Sequence, residues 1–352
     1  MKKFFAILLC AIMVFAVVAC DNAQTPETPA EVDYKLGMGI VVSTASSKTG
    51  NAQVDATVAT VVTDADGKIV ACRIDVAQNK MTVTDGAVEL NKTFKTKMEL
   101  GDDYNMAKYG ADNDGDGRVL EWYEQTKAFE AYVVGMTGAE VAAIETQFVN
   151  NHYIPVDEAL LSAGCSMQIT DFMEAVAKAC ADEQGMAFKA VEGSFTLGVA
   201  AKTTVDSATK AATADAAGVV AMYSDFAASV VADGKVIASL NDAIQPKIAI
   251  NAAGEIGETT FKGTKRELKE GYNMAAYGSD NDGDGRVLEW YVQSAEFSKY
   301  VVGKTAAQIA ALETEEVNKH FVSTDDALIS AGCTMQITGI MAVVAQSATN
   351  AR

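Results

Sequence analysis

The chain has 352 residues, with 28 Lys and Arg against 47 Asp and Glu, a formal net charge of −19. An acidic surface of that size repels nucleic acid and anionic lipid headgroups, which excludes nucleic acid as a partner. Almost half of the residues are hydrophobic, and the length suffices for two ordinary domains with real cores.

In chain order, Lys2 and Lys3 are followed by the apolar run FFAILLCAIMVFAVVA and by Cys20. This pattern reads as a bacterial lipoprotein signal peptide over 1–19, after which Cys20 is lipidated and becomes the mature N-terminus. The run is short for a spanning helix. Two or more acyl chains on Cys20 anchor stably where one does not, so the expected place is the cell membrane, lipid-anchored on its extracytoplasmic face. Loss of the two signal lysines takes the formal charge from −19 to −21. Residues 20–33 are polar, hold two of the four prolines, and read as a tether.

The rest is one unit written twice. YNMAKYGADNDGDGRVLEWY at 104–123 recurs as YNMAAYGSDNDGDGRVLEWY at 272–291, an offset of 168 residues that also carries Cys165 to Cys333. Self-similarity at this length implies one supersecondary unit used twice, over 34–183 and 193–352. Each copy opens with segments rich in Val, Ile and Thr, such as QVDATVATVVTD and KIVACRIDVAQ, joined by Asp-Gly in a turn that needs positive φ. Helical spacing follows in EWYEQTKAFEAYVVG, stopping at Gly135; Thr137 to Glu140 and Thr305 to Gln308 are capping boxes. A last helix runs through ITDFMEAVAKAC or ITGIMAVVAQSA. Strands first and helices after predict an α+β fold, two tandem copies of an antiparallel sheet followed by helices.

The loop DNDGDGRV occurs at 112–119 and 280–287. Asp112, Asp114 and Asp116, and likewise Asp280, Asp282 and Asp284, match positions one, three and five of a calcium loop, with Gly117 and Gly285 at the turn. Position twelve is Tyr123 or Tyr291 instead of glutamate, and the downstream acids shared by both copies, Glu121 and Glu289, fall at position ten. Two readings follow: a weak Ca2+ site suited to millimolar calcium outside a cell, or an Asp/Asn/Gly loop with solvated carboxylates.

SAGCSMQIT at 162–170 recurs as SAGCTMQIT at 330–338, with a hydroxyl residue after the cysteine in both copies. Gly164 and Gly332 permit tight backbone geometry, and the residues after them lead toward a helix whose N–H groups would favour a phosphate. Ser166 and Thr334 suit chemistry on that oxygen, and they equally suit a plain helix cap.

This turn, with the acids before it in VDEALLSAGCS and TDDALISAGCT, resembles the Asp…Ser/Thr-Gly-Ala-Thr motif of FMN-binding domains. These occur in flavin-carrying subunits of sodium-pumping quinone reductases and, in tandem, in flavinylated surface lipoproteins of extracellular electron transfer. The resemblance implies that a separate flavin transferase joins FMN through its phosphate to Ser166 and Thr334, that Gly164, Gly332, Cys165 and Cys333 surround the cofactor, and that redox proteins are partners. It departs from the family where Cys165 and Cys333 replace alanine and where the aspartates lie further upstream.

Four cysteines remain once Cys10 leaves with the signal and Cys20 is lipidated. Cys72 and Cys180 have no counterpart in the other copy and read as small buried residues, and no disulfide framework is expected. Cys165 and Cys333 have no basic neighbour to activate them. His152 and His320 are repeat partners, as are Trp122 and Trp290; the tryptophans suit either a flavin face or a core stripe. No nucleophile–base pair, phosphate loop or zinc spacing occurs. The expected function is a membrane-anchored flavoprotein relaying electrons through an FMN in each repeat, an electron carrier more than a stand-alone catalyst. The rivals are a calcium-stiffened structural lipoprotein and a ligand-binding lipoprotein without a redox cofactor.

Overall fold

The computed structural model describes residues 30–352. The expected signal peptide, Cys20 and most of the tether lie outside the described residues.

The first repeat runs β1 (Glu31–Ser43), β2 (Asn51–Thr63), β3 (Ile69–Thr84) and the short β4 (Ala87–Val88). Then come α1 (Lys97–Leu100), α2 (Met106–Tyr109), α3 (Trp122–Tyr132), α4 (Gly138–Ala142), the hairpin β5 (Thr146–Val149) and β6 (His152–Pro155), α5 (Glu158–Ser162) and α6 (Thr170–Cys180). A linking strand β7 (Met186–Val191) follows. The second repeat runs β8 (Thr196–Val205), β9 (Gly218–Ala232), β10 (Lys235–Ile244), β11 (Lys247–Ile250) and β12 (Ile256–Thr260). It closes with α7 (Lys265–Leu268), α8 (Met274–Tyr277), α9 (Trp290–Tyr300), α10 (Ala306–Ala310), β13 (Thr314–Val317), β14 (His320–Ser323), α11 (Asp326–Ser330) and α12 (Thr338–Thr349). From α1 onward every element start recurs at the offset of 168. The α+β class expected from the sequence is the class observed.

Every strand pairing is antiparallel. One sheet has the order β4-β3-β2-β1-β7, and in the other β9 pairs with β8, β10 and β11, with β12 beyond β11. Pro246 divides β10 from β11 where β3 is continuous, because proline offers no N–H to the ladder. Asp233 and Gly234 both take positive φ between β9 and β10, the two-residue hairpin turn that matches strand twist. The first repeat uses a looser turn there, with positive φ at Gly67 alone of its Asp-Gly pair.

The two sheets pack face to face. Leu36, Met38, Val54 and Val58 of the first share one buried cluster with Val199, Met222, Phe226 and Val230 of the second. On the outer faces α6 lies on β1 and β2, and α12 on β8 and β9, each over its own core. The layers are therefore helices, sheet, sheet, helices, which explains why β2 is buried along most of its length instead of alternating. Gly37 and Gly198 allow these helices close: a Cβ would meet the carbonyl oxygen of Ala179 at 2.0 Å and that of Ser347 at 1.9 Å. Each large side chain removed from water contributes about 1.5–3 kcal/mol. Glu31–Arg352 forms one compact unit.

Candidate functional site

In each repeat the two sequence motifs form one structural device. Asp157 caps α5 by accepting from the N–H groups of Ala159 and Leu160, and Asp325 does the same for α11. The SAGC turn then ends that helix. Gly164 takes φ +95°, its N–H donates to Leu161 O at 2.8 Å, and Cys165 N–H donates to Leu160 O at 3.1 Å. Gly332 (φ +93°) and Cys333 repeat the pattern on Ile329 and Leu328. This is a glycine stop with a hydrophobic contact, here Cys165 on Leu160. The motif terminates one helix instead of opening the next; α6 begins at Thr170, with Ile169 and not Ser166 at its cap.

Ser166 and Thr334 are 5 % and 7 % exposed, and the chain is pinned on both sides of their Cα. Ser166 N–H donates to Gln125 Oε1 at 3.0 Å while Asn113 Nδ2 donates to Ser166 O at 2.9 Å. Thr334 is held identically by Gln293 and Asn281, at 2.9 Å each. Neither hydroxyl has a hydrogen-bond partner among the described residues. Asn113 and Asn281, the unremarked asparagines of DNDGDG, thus fasten the aspartate loop to the hydroxyl turn. Asn150 and Asn318 of the β5–β6 and β13–β14 turns brace them in turn.

The carboxylate oxygens of Asp112, Asp114 and Asp116 lie within 4.8 Å of one another, as do those of Asp280, Asp282 and Asp284. Much of their capacity is used by the loop itself. Asp112 accepts from Gly115 and Gly117 N–H, and Asp116 accepts from Arg118 through backbone and guanidinium, which holds its carboxyl below the usual range. Glu121 and Glu289, the acids at position ten, turn away to accept from the first N–H groups of α2 and α8.

Cys165 and Cys333 are fully buried and free, and burial pushes their thiols up to about 12. Cys72 is buried and Cys180 half-buried, both free. None of these thiols has the exposed, electropositive setting of a reactive cysteine.

Beside the hydroxyl turn each repeat has a cavity, about 530 Å³ in the first and about 630 Å³ in the second. Lys97, Tyr104, Met106, Trp122 and His152 line the first; Lys265, Tyr272, Met274, Trp290 and His320 line the second at the same offset. Met167 and Gln168 reach the first wall and Met335 and Gln336 the second, although Ser166 and Thr334 do not. The tryptophans serve both readings made from sequence, since each belongs to a helix core and also walls its cavity. Lys97 Nζ lies 4.8 Å from the Tyr104 ring centroid and 5.4 Å from that of Trp122. Lys265 Nζ lies 4.5 Å from Tyr272, 5.2 Å from Trp290 and 4.6 Å from Tyr223, whose hydroxyl accepts from it at 3.0 Å. Both cavities fall within the usual size range for small-molecule sites. Sequence reasoning missed the two lysines and two tyrosines; their repetition at 168 was the available signal.

Two buried carboxylates hold the starts of the short helices that carry Lys97 and Lys265. Asp75 on β3 accepts from Met98 N–H, and Asp242 on β10 from Arg266 N–H, each at the start of α1 or α7. Burial pushes both up to about 6 against these bonds.

No family model, curated protein or solved structure matches this chain.

Proposed function

We propose that this protein is a lipid-tethered, extracytoplasmic flavin carrier that seats one FMN, without a covalent bond, in each of two equivalent cavities and relays electrons between redox partners. The observation that carries the reading is that one cavity is built twice from the same ring-bearing and basic side chains. A cavity of about 530 or 630 Å³ has room for a tricyclic ring, and Trp and Tyr supply flat apolar walls. Ser166 and Thr334, nearly buried residues set off the cavity wall, favour non-covalent seating over a phosphate ester. When bound, a flavin supplies the redox chemistry; the chain's own residues hold the ring, place one ammonium beside it and exclude water.

One observation favours a second reading within the ligand-binding class. Each cavity offers a single lysine already engaged with aromatic rings, and no basic cluster for a phosphate. A neutral ring compound would be served as well as FMN.

Titration of the full chain with FMN and with riboflavin, read by quenching of Trp122 and Trp290 fluorescence, tests both. Two sites per chain and yellow protein from the native cell are expected. Preference for riboflavin selects the second reading, and absence of quenching by either compound overturns the flavin reading. A flavin-sized mass increment on peptides containing Ser166 or Thr334 would overturn the non-covalent part alone.

A further inference from the structure

The two cavities differ at a pair of positions that exchange a carboxylate. On the second strand of each sheet, Thr57 of β2 stands where Asp225 stands on β9: Thr57 pairs with Val76, next to Asp75, and Asp225 pairs with Ala243, next to Asp242. In the first turn of the last helix, Asp171 of α6 stands where Gly339 stands on α12. All four residues line their cavities. The exchange is sterically linked, because a Cβ on Gly339 would come within 2.2 Å of Asp225 Oδ2. At these two positions one repeat places an acid on the helix and a small hydroxyl on the strand, and the other places the acid on the strand and clears the helix to make room; each wall holds one further acid, Asp55 in the first cavity and Asp206 in the second.

Both acids answer to the same lysine position. Lys265 is 5 % exposed and has no carboxylate within 4.0 Å among the described residues, yet its ammonium draws Asp225 down more than any other group, against burial that pushes it up to about 7. Lys97 draws Asp171 down in the same sense against burial. Asp225 further draws on Tyr223, whose hydroxyl also meets Lys265. A buried ammonium is costly without a compensating charge, which applies to Lys265 above all, Lys97 being half-buried.

We propose that a lysine–carboxylate pair, Lys97 with Asp171 in the first cavity and Lys265 with Asp225 in the second, is the recognition element of both sites, with the carboxylate supplied from opposite walls. The pair selects a planar ring whose edge presents an acceptor to the ammonium and a donor to the carboxylate. The ligand part rests on the ring-binding reading above; the pairing does not.

The test exchanges the second cavity's layout for the first in the full chain: Asp225→Thr, Gly339→Asp and the double variant, leaving Asp206, Asp242 and Tyr223, which also face Lys265, untouched. Acetylation of Lys265 by acetic anhydride at about pH 7.5, above the value of about 7 to which the Asp225 carboxyl is held, so that it is ionised, and read by peptide mass spectrometry with Lys97 as the internal reference, reports the ammonium directly. Loss of a neighbouring opposite charge lowers a lysine's proton affinity by about one pH unit or more, so D225T is expected to raise the labelling rate about threefold at this pH, and D225T/G339D to restore it. Labelling that stays at the D225T level in the double variant overturns the pairing. Riboflavin affinity of the second site is expected to fall about tenfold, as for a lost charge-assisted hydrogen bond, in D225T and to recover in the double variant; failure to recover overturns the recognition role. If wild-type protein binds no riboflavin, the ring-ligand part falls with the flavin reading, and the labelling result alone decides the pair.

Discussion

The two repeats agree most closely where they build the cavity and least where they meet each other. From α1 and α7 onward the helices, the hairpins and the glycine stops coincide at one offset, down to the hydrogen bonds of Gln125 and Gln293. The edges at which the repeats touch have diverged. On one edge Arg266 and Asp182 form a bidentate pair at 3.0 and 3.1 Å, with Met38 N–H donating to Asp182 as well. On the other, Met98 and Asn350 hold the matching positions, Asn350 donates to Val199 O, and the charge crosses instead between Arg352 and the buried Glu130 at 3.0 Å. Cavity geometry is under a constraint that the two edges, with different neighbours, do not share.

Breaking the Asp182–Arg266 pair should have the largest effect. Asp182 and Arg266 are 9 % and 8 % exposed at the side chain, and removing one partner strands the other's charge. Asp182→Ala or Arg266→Ala is expected to cost about 3–5 kcal/mol in urea unfolding. D182N/R266M, which copies the other edge, should cost far less than either single change. If the double variant is the worse protein, the two edges are not interchangeable solutions.

The repeats also divide the protein's response to pH unequally. Burial raises Asp75 and Asp242 to about 6 and Asp225 to about 7, whereas an unfolded aspartate titrates near 3.9. The native state therefore holds protons that the unfolded chain has released between about pH 4 and 7. The contribution of these groups to stability is full below about pH 4 and is lost as pH rises through 6 to 7. At most, Asp75 and Asp242 each contribute on the order of 3 kcal/mol and Asp225 about 4 kcal/mol across that window. Two of the three lie in the second repeat, so D225N/D242N should flatten a plot of urea midpoint against pH more than D75N does. Equal flattening would place the burden evenly between the repeats.

Helix packing offers a finer contrast. Gly39 faces the carbonyl oxygen of Ala175, which a Cβ would approach to 2.2 Å, whereas the second repeat already carries alanine, Ala200, at the corresponding place. Gly39→Ala is expected to destabilise by about 1–3 kcal/mol through overpacking, measured by chemical unfolding. Ala200→Gly should not stabilise the second repeat, since α12 has already settled around that methyl group.

Local signals in the sequence carried the α+β class, the capping boxes of α4 and α10, the Gly135 stop and the Asp-Gly turns, because each depends on a few adjacent residues. The face-to-face sheets were hidden, since strands such as β2 are covered on both sides and lose the alternation that would name a surface. SAGC read as a helix opening because small residues and a hydroxyl suit either end of a helix; only the Cys165–Leu160 contact across the turn decides it. Lys97 and Lys265 were passed over because lysine is ordinarily solvated, and the trade of Asp225 and Gly339 for Thr57 and Asp171 exists only once strand and helix are brought together.

Where the repeats are identical, substitutions should be indistinguishable, and the aspartate loops provide that control. Asp112 and Asp280 each accept two backbone N–H groups, from Gly115 and Gly117 at 2.8 and 3.1 Å and from Gly283 and Gly285 at the same distances. The bonds are solvent-exposed, so water replaces them readily, and Asp112→Ala or Asp280→Ala is expected to cost only about 1 kcal/mol by thermal unfolding. The two losses should match and should add in the double variant, because well-separated sites with no shared partner are independent. Non-additive losses would mean that the loops are coupled through the hydroxyl turns to the shared sheet core, and that the cavities respond to each other.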